Sequence, residues 1–310
     1  MTSTPSGQRD ESAGVRAART RELTDNQYWD SIYQTGEWAS IYTEETKPAA
    51  RPFWKRVTRL IKRLLGRKIV DSMQSYADYC LWDIIYEKHM PRSAGAAVLE
   101  IGSAPGVHLV KLRDRFGFVP YGIDRSETGV EINKRIFAAH HIDRGNVIHA
   151  DLLSDEVRQR YSGQFDVVLS NGFVEHFADP SEVVARHVEL LKPGGRLFVS
   201  IPNLRGLNYV LAWFFNRPVL AMHNIDIMSR ETFFSLFAAE RLSPLYCNYY
   251  GSFDFGLFNT PLNSPLRHVL AFSRKLQLVL NLVFRRLFRD KAVESRFSSP
   301  YLIYVGVKEW

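Results

Sequence analysis

The stretch Ala97-Val-Leu-Glu-Ile-Gly-Ser-Ala-Pro-Gly-Val-His-Leu-Val-Lys111 limits the fold of this 310-residue chain more than any other segment. An apolar run ends in an acid, a glycine-punctuated turn follows, and helical spacing then resumes. That order reads as a strand, a tight loop and a helix N-terminus, which together present backbone N–H groups to a nucleotide-like cofactor. Gly102 permits the turn, and Ala104 and Gly106 allow the backbone close to a ligand. Glu100 stands at the carboxyl end of the strand, where open α/β sheets bind their ligands.

Further elements follow in a fixed order. Phe118-Val-Pro-Tyr-Gly-Ile-Asp124 reads as a second strand whose closing acid lies about 22 residues beyond Gly102, close to the spacing of a carboxylate that grips ribose hydroxyls. Asp124 is then a ribose ligand, or a cap on the helix that begins near Ser126. Asn146-Val-Ile-His-Ala-Asp151 is a third strand with an acid just past its end, and a cap before Leu152 is again the alternative. Gln164-Phe-Asp-Val-Val-Leu-Ser170 supplies a fourth strand, followed by Asn-Gly-Phe-Val-Glu-His-Phe177. A helix then ends at the Pro-Gly-Gly of Leu190-Leu-Lys-Pro-Gly-Gly-Arg-Leu-Phe-Val-Ser-Ile-Pro-Asn203, and a fifth strand opens.

The ordered set VLEIGSAPG, YGID, HADLL, FDVVLSNGFVEHF and LLKPGGRLFVSIPN resembles the class I S-adenosylmethionine-dependent methyltransferases. Within that class it is most similar to the branch of ubiquinone-type, glycan and natural-product O-methyltransferases, which share the Glu-His after strand four and the Pro-Asn after strand five. The match runs over about residues 96 to 203. It implies S-adenosyl-L-methionine as cofactor, with Gly102, Ser103, Ala104 and Gly106 around its methionine end and Glu100 near its amino group. It places Asp124 at both ribose hydroxyls, Asp151 with Leu152 at the adenine amino group, and Asn171 and Gly172 along the wall below the sulfonium. The chain departs from the family pattern at Ala104, where the loop carries a middle glycine, and at Pro105. Alanine costs little there if φ is negative, but it narrows the approach.

The fold expected is α/β: a Rossmann-like methyltransferase sheet, mostly parallel with its last strand antiparallel, carrying an N-terminal helical lid and C-terminal helical additions. Residues 1–25 read as a polar disordered tail and 26–93 as a helical region. The cofactor-binding core spans 94–203, and 204–310 form a C-terminal region whose Leu207–His223 insertion covers the pocket or dips into an interface. Tyr28, Trp29, Tyr33, Trp38 and Tyr42 recur at helix-like intervals, as lid or as core packing. Arg241–Tyr250 and Ser299–Val307 read as strands. Two cysteines, Cys80 and Cys247, are too few for a disulfide framework or a zinc site and suit a reducing compartment, so a cytoplasmic protein is expected.

A net charge of +7 calls for a partner, and much of it is concentrated. Between Arg51 and Lys68 the apolar positions 53, 57, 60, 61, 64 and 65 follow helical spacing with basic residues between them. A second such helix runs from Leu266 to Arg289. Basic amphipathic helices bind anionic membrane surfaces, pack an apolar face on the core, or neutralise nucleic-acid phosphates. The oligomeric state is not legible.

Methyl transfer from a sulfonium needs an acceptor lone pair aligned behind the methyl carbon in a dry site. For a hydroxyl acceptor a base must take the proton, and His176, in the loop leaving strand four, is the candidate, with a histidine that only orients the loop as the alternative. Glu175 could orient that imidazole or pack structurally. Ser170 and Asn171 stand where a divalent-metal site would need acids, so no metal is expected. His223 is expected at the surface. The substrate expected is a small-molecule, glycan or lipid-linked hydroxyl, at the membrane face if the basic helices serve there. Two rival readings are an RNA 2′-O-methyltransferase and a non-catalytic scaffold that keeps the fold. The first lacks its Lys-Asp-Lys-Glu constellation, and the second has no use for the acids at 100, 124 and 151.

Overall fold

A computed structural model describes residues 21–35, 75–258, 260, 264–288 and 294–310. The basic stretch 51–68, most of the N-terminal tail, Trp38 and Tyr42 lie outside the described residues. Among the described residues seven strands form one sheet: β1 Ala97–Ile101, β2 Val119–Asp124, β3 Val147–His149, β4 Phe165–Asn171, β5 Leu191–Pro202, β6 Leu242–Tyr250 and β7 Tyr301–Lys308. Their spatial order is β3-β2-β1-β4-β5-β7-β6. Pairs among β1 to β5 are parallel, and β7 runs antiparallel to both β5 and β6. The expected mostly parallel sheet with an antiparallel last strand is what forms.

Parallel strands covered on both faces must be apolar on both, which is why β1 and β4 read as continuous hydrophobic runs. Val98, Val167 and Leu169 face one apolar layer, and Leu99, Ile101 and Val168 face the other, following the two-residue period of a strand. Val98, Leu99 and Ile101 are at most 1% exposed, and burying each such side chain contributes about 1.5–3 kcal/mol.

Helices cover the sheet: α1 Asn26–Thr35, α2 from Tyr76–Tyr79 through a π-helical stretch Cys80–Tyr86 to Glu87–His89, α3 Val107–Phe116, α4 Glu127–Ala139, α5 Asp155–Tyr161, α6 Ser181–Leu190, α7 Leu207–Asn216, α8 Arg230–Ser235 and α9 Leu266–Phe288. The caps decide two questions left open by the sequence. Ser126 Oγ accepts from the Gly129 N–H at 3.0 Å and caps α4, while Ser154 Oγ accepts from the Val157 N–H at 3.3 Å and caps α5. Asp124 and Asp151 are therefore not the cap residues. Ser229 likewise caps α8 through the Thr232 N–H.

The structure corrects one boundary. Helix α6 stops at Leu190, and β5 begins at Leu191, ahead of Pro-Gly-Gly. Leu191 pairs with Phe165 and Arg196 with Val167, so the residues between them bulge out of the ladder, with Gly194 at φ +77°. The three residues Pro-Gly-Gly thus bend a strand that has already begun.

Candidate active site

Strand order reverses between β1 and β4, because the chain winds outward through β2 and β3 on one side and through β5 on the other. The crevice outside the carboxyl ends of strands at such a switch point is where open α/β sheets bind ligands. A cavity of about 280 Å³ opens there. Gly102, Ala104, Asp124, Asp151, Leu152, Asn171, Gly172 and His176 line it, eight of the positions expected from the sequence.

The β1 loop is held by its own backbone. The N–H groups of Gly102 and Ser103 both donate to the Ile123 carbonyl, at 2.9 and 3.2 Å. Gly102 sits at φ +68°, and a Cβ there would meet the Phe173 ring at 2.9 Å. Asp124 is 8% exposed; one carboxylate oxygen accepts from the Ala104 N–H at 3.1 Å and the other from the Ser126 N–H at 2.9 Å. Burial raises its carboxyl above the ordinary value, while those two N–H groups act the other way. Asp151 is exposed and accepts from the Leu153 N–H at 2.9 Å, a local turn that leaves its second oxygen for a ligand.

Glu100 is 5% exposed and does not line the cavity, yet it is coupled to it. Its Oε1 accepts from Asn171 Nδ2 at 3.1 Å and from His108 Nδ1 at 2.9 Å, and its Oε2 is buried with no partner among the described residues. A buried carboxylate oxygen left single is the kind of group a ligand ammonium satisfies. Ser103 and Gly106 serve the frame. Ser103 Oγ accepts from Asn133 Nδ2 at 2.7 Å, and a Cβ on Gly106, at φ +91°, would lie 2.1 Å from Asn133 Oδ1. Gly106 is glycine because α4 approaches it from the side; neither residue lines the cavity.

The opposite wall is apolar and was less legible. Trp29, Ile32 and Tyr33 of α1, with Phe173 and Phe177, close the cavity. The α1 segment is tied down by Leu23 N–H on the His176 carbonyl at 2.7 Å, Ala178 N–H on the Arg21 carbonyl at 2.9 Å, and the Glu22–Arg125 ion pair. In sequence, the spacing of Trp29 and Tyr33 suits core packing more often than a lid, and no local signal pointed to the cavity.

His176 lies in this wall, 6% exposed, with the Trp29 ring edge-on at 4.9 Å. Its Nδ1 donates to the Met222 carbonyl at 3.0 Å, which assigns the lone pair to Nε2. Burial, with the neighbouring His223 second, pushes its pKa down to about 3, so the imidazole is neutral. His223 is not a surface residue: its ring centroid is 4.5 Å from that of His176 and its Nδ1 donates to the Val219 carbonyl at 2.8 Å. The helix and 3-10 turns that follow β5 fold the insertion back onto the loop after β4, which sequence spacing could not register. Glu175 is 1% exposed with Oε2 unpartnered, and burial pushes its carboxyl up to about 8. It does not orient His176, since its Oε1 is 3.9 Å from Nε2 and the Met222 carbonyl fixes the ring instead. Glu175, His176 and His223 each bring one donor atom within 4.8 Å of the others, a set that could hold a divalent ion.

Residues 55–245 match the family model described as a methyltransferase domain. The chain is 33% identical over 120 residues to a ubiquinone biosynthesis O-methyltransferase of Thiobacillus denitrificans, covering 38% of this chain and 50% of the relative. It is 33% identical over 129 residues to the Caulobacter vibrioides protein of the same name, covering 38% and 49%. It thus spans about half the length of these relatives. The solved geranyl diphosphate C-methyltransferase of Streptomyces coelicolor A3(2) shares the fold, with a TM-score of 0.52 at 16% identity over 93% of this chain and 100% of that one. The chain belongs to the methyltransferase-domain family, of the class I S-adenosylmethionine-dependent kind that its motifs resemble.

Proposed function

We propose that the protein transfers a methyl group from S-adenosyl-L-methionine to the hydroxyl of a small-molecule, glycan or lipid-linked acceptor. The observation that carries this reading is the pairing of two unlike walls around one cavity: the carboxylates of Asp124 at the end of β2 and Asp151 beyond β3 on one side, a neutral histidine among aromatic rings on the other. The residues present fit the cofactor. The single Oε2 of Glu100 would take its ammonium, Asp124 the ribose hydroxyls, Asp151 and Leu152 the adenine side, and Asn171 and Gly172 the wall below the sulfonium. Among the described residues Gly172, at φ +69°, has only Glu175 Oε1 within reach of an added Cβ, at 3.4 Å, which leaves backbone open to a ligand.

When bound, the cofactor supplies an electrophilic methyl carbon on a sulfonium. Trp29, Phe173 and Phe177 exclude water from the transfer. His176 Nε2 accepts a hydrogen bond from the acceptor hydroxyl, because Nδ1–H is spent on Met222. With the cofactor bound, His176 Nε2 would take the proton that the acceptor hydroxyl gives up when it is methylated. A pKa of about 3 makes a weak base toward a free hydroxyl. A protonated ether is a far stronger acid than that imidazolium, so late proton transfer remains downhill. The oxygen acceptor is supported by the ubiquinone biosynthesis O-methyltransferases among the relatives.

The test is mass spectrometry of extracts from cells with and without the protein, followed by incubation of the purified chain with methyl-labelled S-adenosylmethionine and the protein-free extract. The reading expects a species heavier by one methyl group that carries the label on oxygen. No labelled product would contradict it.

A further inference from the structure

Helix α9 is apolar on two faces: Leu270, 3% exposed, packs inward with Phe284 and Phe288, and a second stripe faces out. A helix packed on a water-soluble protein turns its apolar stripe inward and its polar residues out. Here Gln277 and Asn281, 5% and 2% exposed, face inward and are bonded there. Gln277 Oε1 accepts from the Phe255 N–H at 3.2 Å and its Nε2 donates to the Phe253 carbonyl at 2.9 Å; Asn281 Oδ1 accepts from Gln277 Nε2 at 2.9 Å. Arg274 donates to the Phe258 carbonyl at 2.8 Å, and the Arg285 guanidinium lies over the Tyr79 ring at 4.3 Å. The outward side carries Val269, Phe272, Leu276, Val279, Val283 and Leu287 at helical spacing, 41–71% exposed. Their outward direction is enforced, because rolling the helix would strand Gln277 and Asn281 without partners.

We propose that this face seats the protein on an anionic lipid bilayer, with the stripe in the acyl boundary and the neighbouring cations at the headgroups. Charge decides the occupant. His268, Lys275 and Arg286 are exposed, and at about 100° per residue they fall in one row beside the stripe. Between Leu266 and Phe288 there is no Asp or Glu. Self-pairing of α9 with a second copy would bring cations together with no carboxylate on either helix to meet them, whereas phosphates complement them. No helix among the described residues is long and apolar enough to cross a membrane, so α9 lies in the interface plane.

A second apolar face belongs to the same region. Tyr209, Val210, Trp213 and Phe214 of α7 are about half exposed, and Arg217 sits 5.9 Å from the Trp213 ring, the aromatic and basic chemistry of a bilayer interface. Phe215 packs on Phe258, whose carbonyl holds Arg274 of α9, so the two helices are braced through one residue. The chain leaving α7 carries Met222 and His223 to His176, which links the docking region to the acceptor wall. The inference stands whichever acceptor is methylated.

The test is co-sedimentation of the full chain with vesicles of phosphatidylcholine alone and of phosphatidylcholine with phosphatidylglycerol. Wild type should bind the anionic vesicles more tightly. F272Q/L287Q should lose on the order of a hundredfold of that affinity, since two large apolar side chains no longer enter the acyl boundary. K275Q/R286Q should lose about tenfold on anionic vesicles and little on neutral ones. Circular dichroism and S-adenosylhomocysteine affinity equal to wild type show that each variant is folded. Absence of vesicle binding, binding unchanged in F272Q/L287Q, or a concentration-dependent dimer that this variant dissociates would overturn the proposal.

Discussion

The two walls of the cavity are made by different means. The rim at the ends of β1 and β2 is fixed by main chain: Gly102 and Ser103 N–H on one carbonyl, Ala104 and Ser126 N–H on one carboxylate. The facing wall is fixed by side-chain burial: His176 packed between Trp29 and His223, Phe173 against Phe177, with Glu175 and His176 both held uncharged near neutrality. A rim of oriented acceptors suits a cationic, hydroxyl-rich ligand whose position must not vary. A neutral, dry wall suits an acceptor whose hydroxyl must shed water before it is methylated. The difference separates binding from chemistry, and each wall can be broken alone.

The largest effect belongs to the rim. Asp124→Ala removes both acceptors for the ribose, worth about 1.5–3 kcal/mol for each charged hydrogen bond. Calorimetry with S-adenosylhomocysteine should find affinity lower by about a thousandfold; affinity equal to wild type would remove Asp124 from the cofactor site. Next comes His176→Ala, which should lower kcat by about a hundredfold with cofactor affinity kept. Because the His176 pKa lies at about 3, kcat/KM of the wild type should show no half-loss near the ordinary histidine value of 6.5. A titration at that value lost in the variant would mean that His176 is charged in the free enzyme.

Stability against pH sharpens the contrast at smaller scale. Glu175 holds its proton up to about 8 in the fold against an ordinary 4.5, so its contribution is full below 4.5 and is lost as pH rises toward 8. His176 and His187, held down to about 3 and about 4, act oppositely: stability falls as pH drops from 6.5 toward those values. Chemical denaturation of Glu175→Gln should lose the alkaline decline and keep the acid one. An unchanged alkaline limb would place the loss elsewhere. The smallest effect is that of a chelator: with His176 Nε2 acting on the acceptor, EDTA leaves the rate unchanged. Loss of activity restored by a divalent ion would assign that lone pair, with Glu175 and His223, to a metal.

The rim was legible in sequence because its parts are local. Apolar runs set β1, β2 and β4, and the acids at the end of β2 and just after β3 arrive in the crevice simply because parallel strands share a direction. The roles of Ser103 and Gly106 were not, since what they touch is Asn133, about thirty residues away on α4. His223 was read as exposed because nothing near it in sequence discloses that the segment after α7 folds back on His176. The outward apolar stripe of α9 was equally hidden: periodicity gives the two faces of a helix, and the burial of Leu270 with the bonds of Gln277 and Asn281 decides which turns inward.

A crystal structure of the protein with S-adenosylhomocysteine tests the central claim most directly. The account predicts the ribose hydroxyls on Asp124, the adenine beside Asp151 and Leu152, and the amino group within hydrogen-bond distance of Glu100 Oε2, with the vacated methyl direction facing His176. Ligand bound elsewhere, or a crevice closed by the Phe173 and Trp29 rings in its presence, would contradict it.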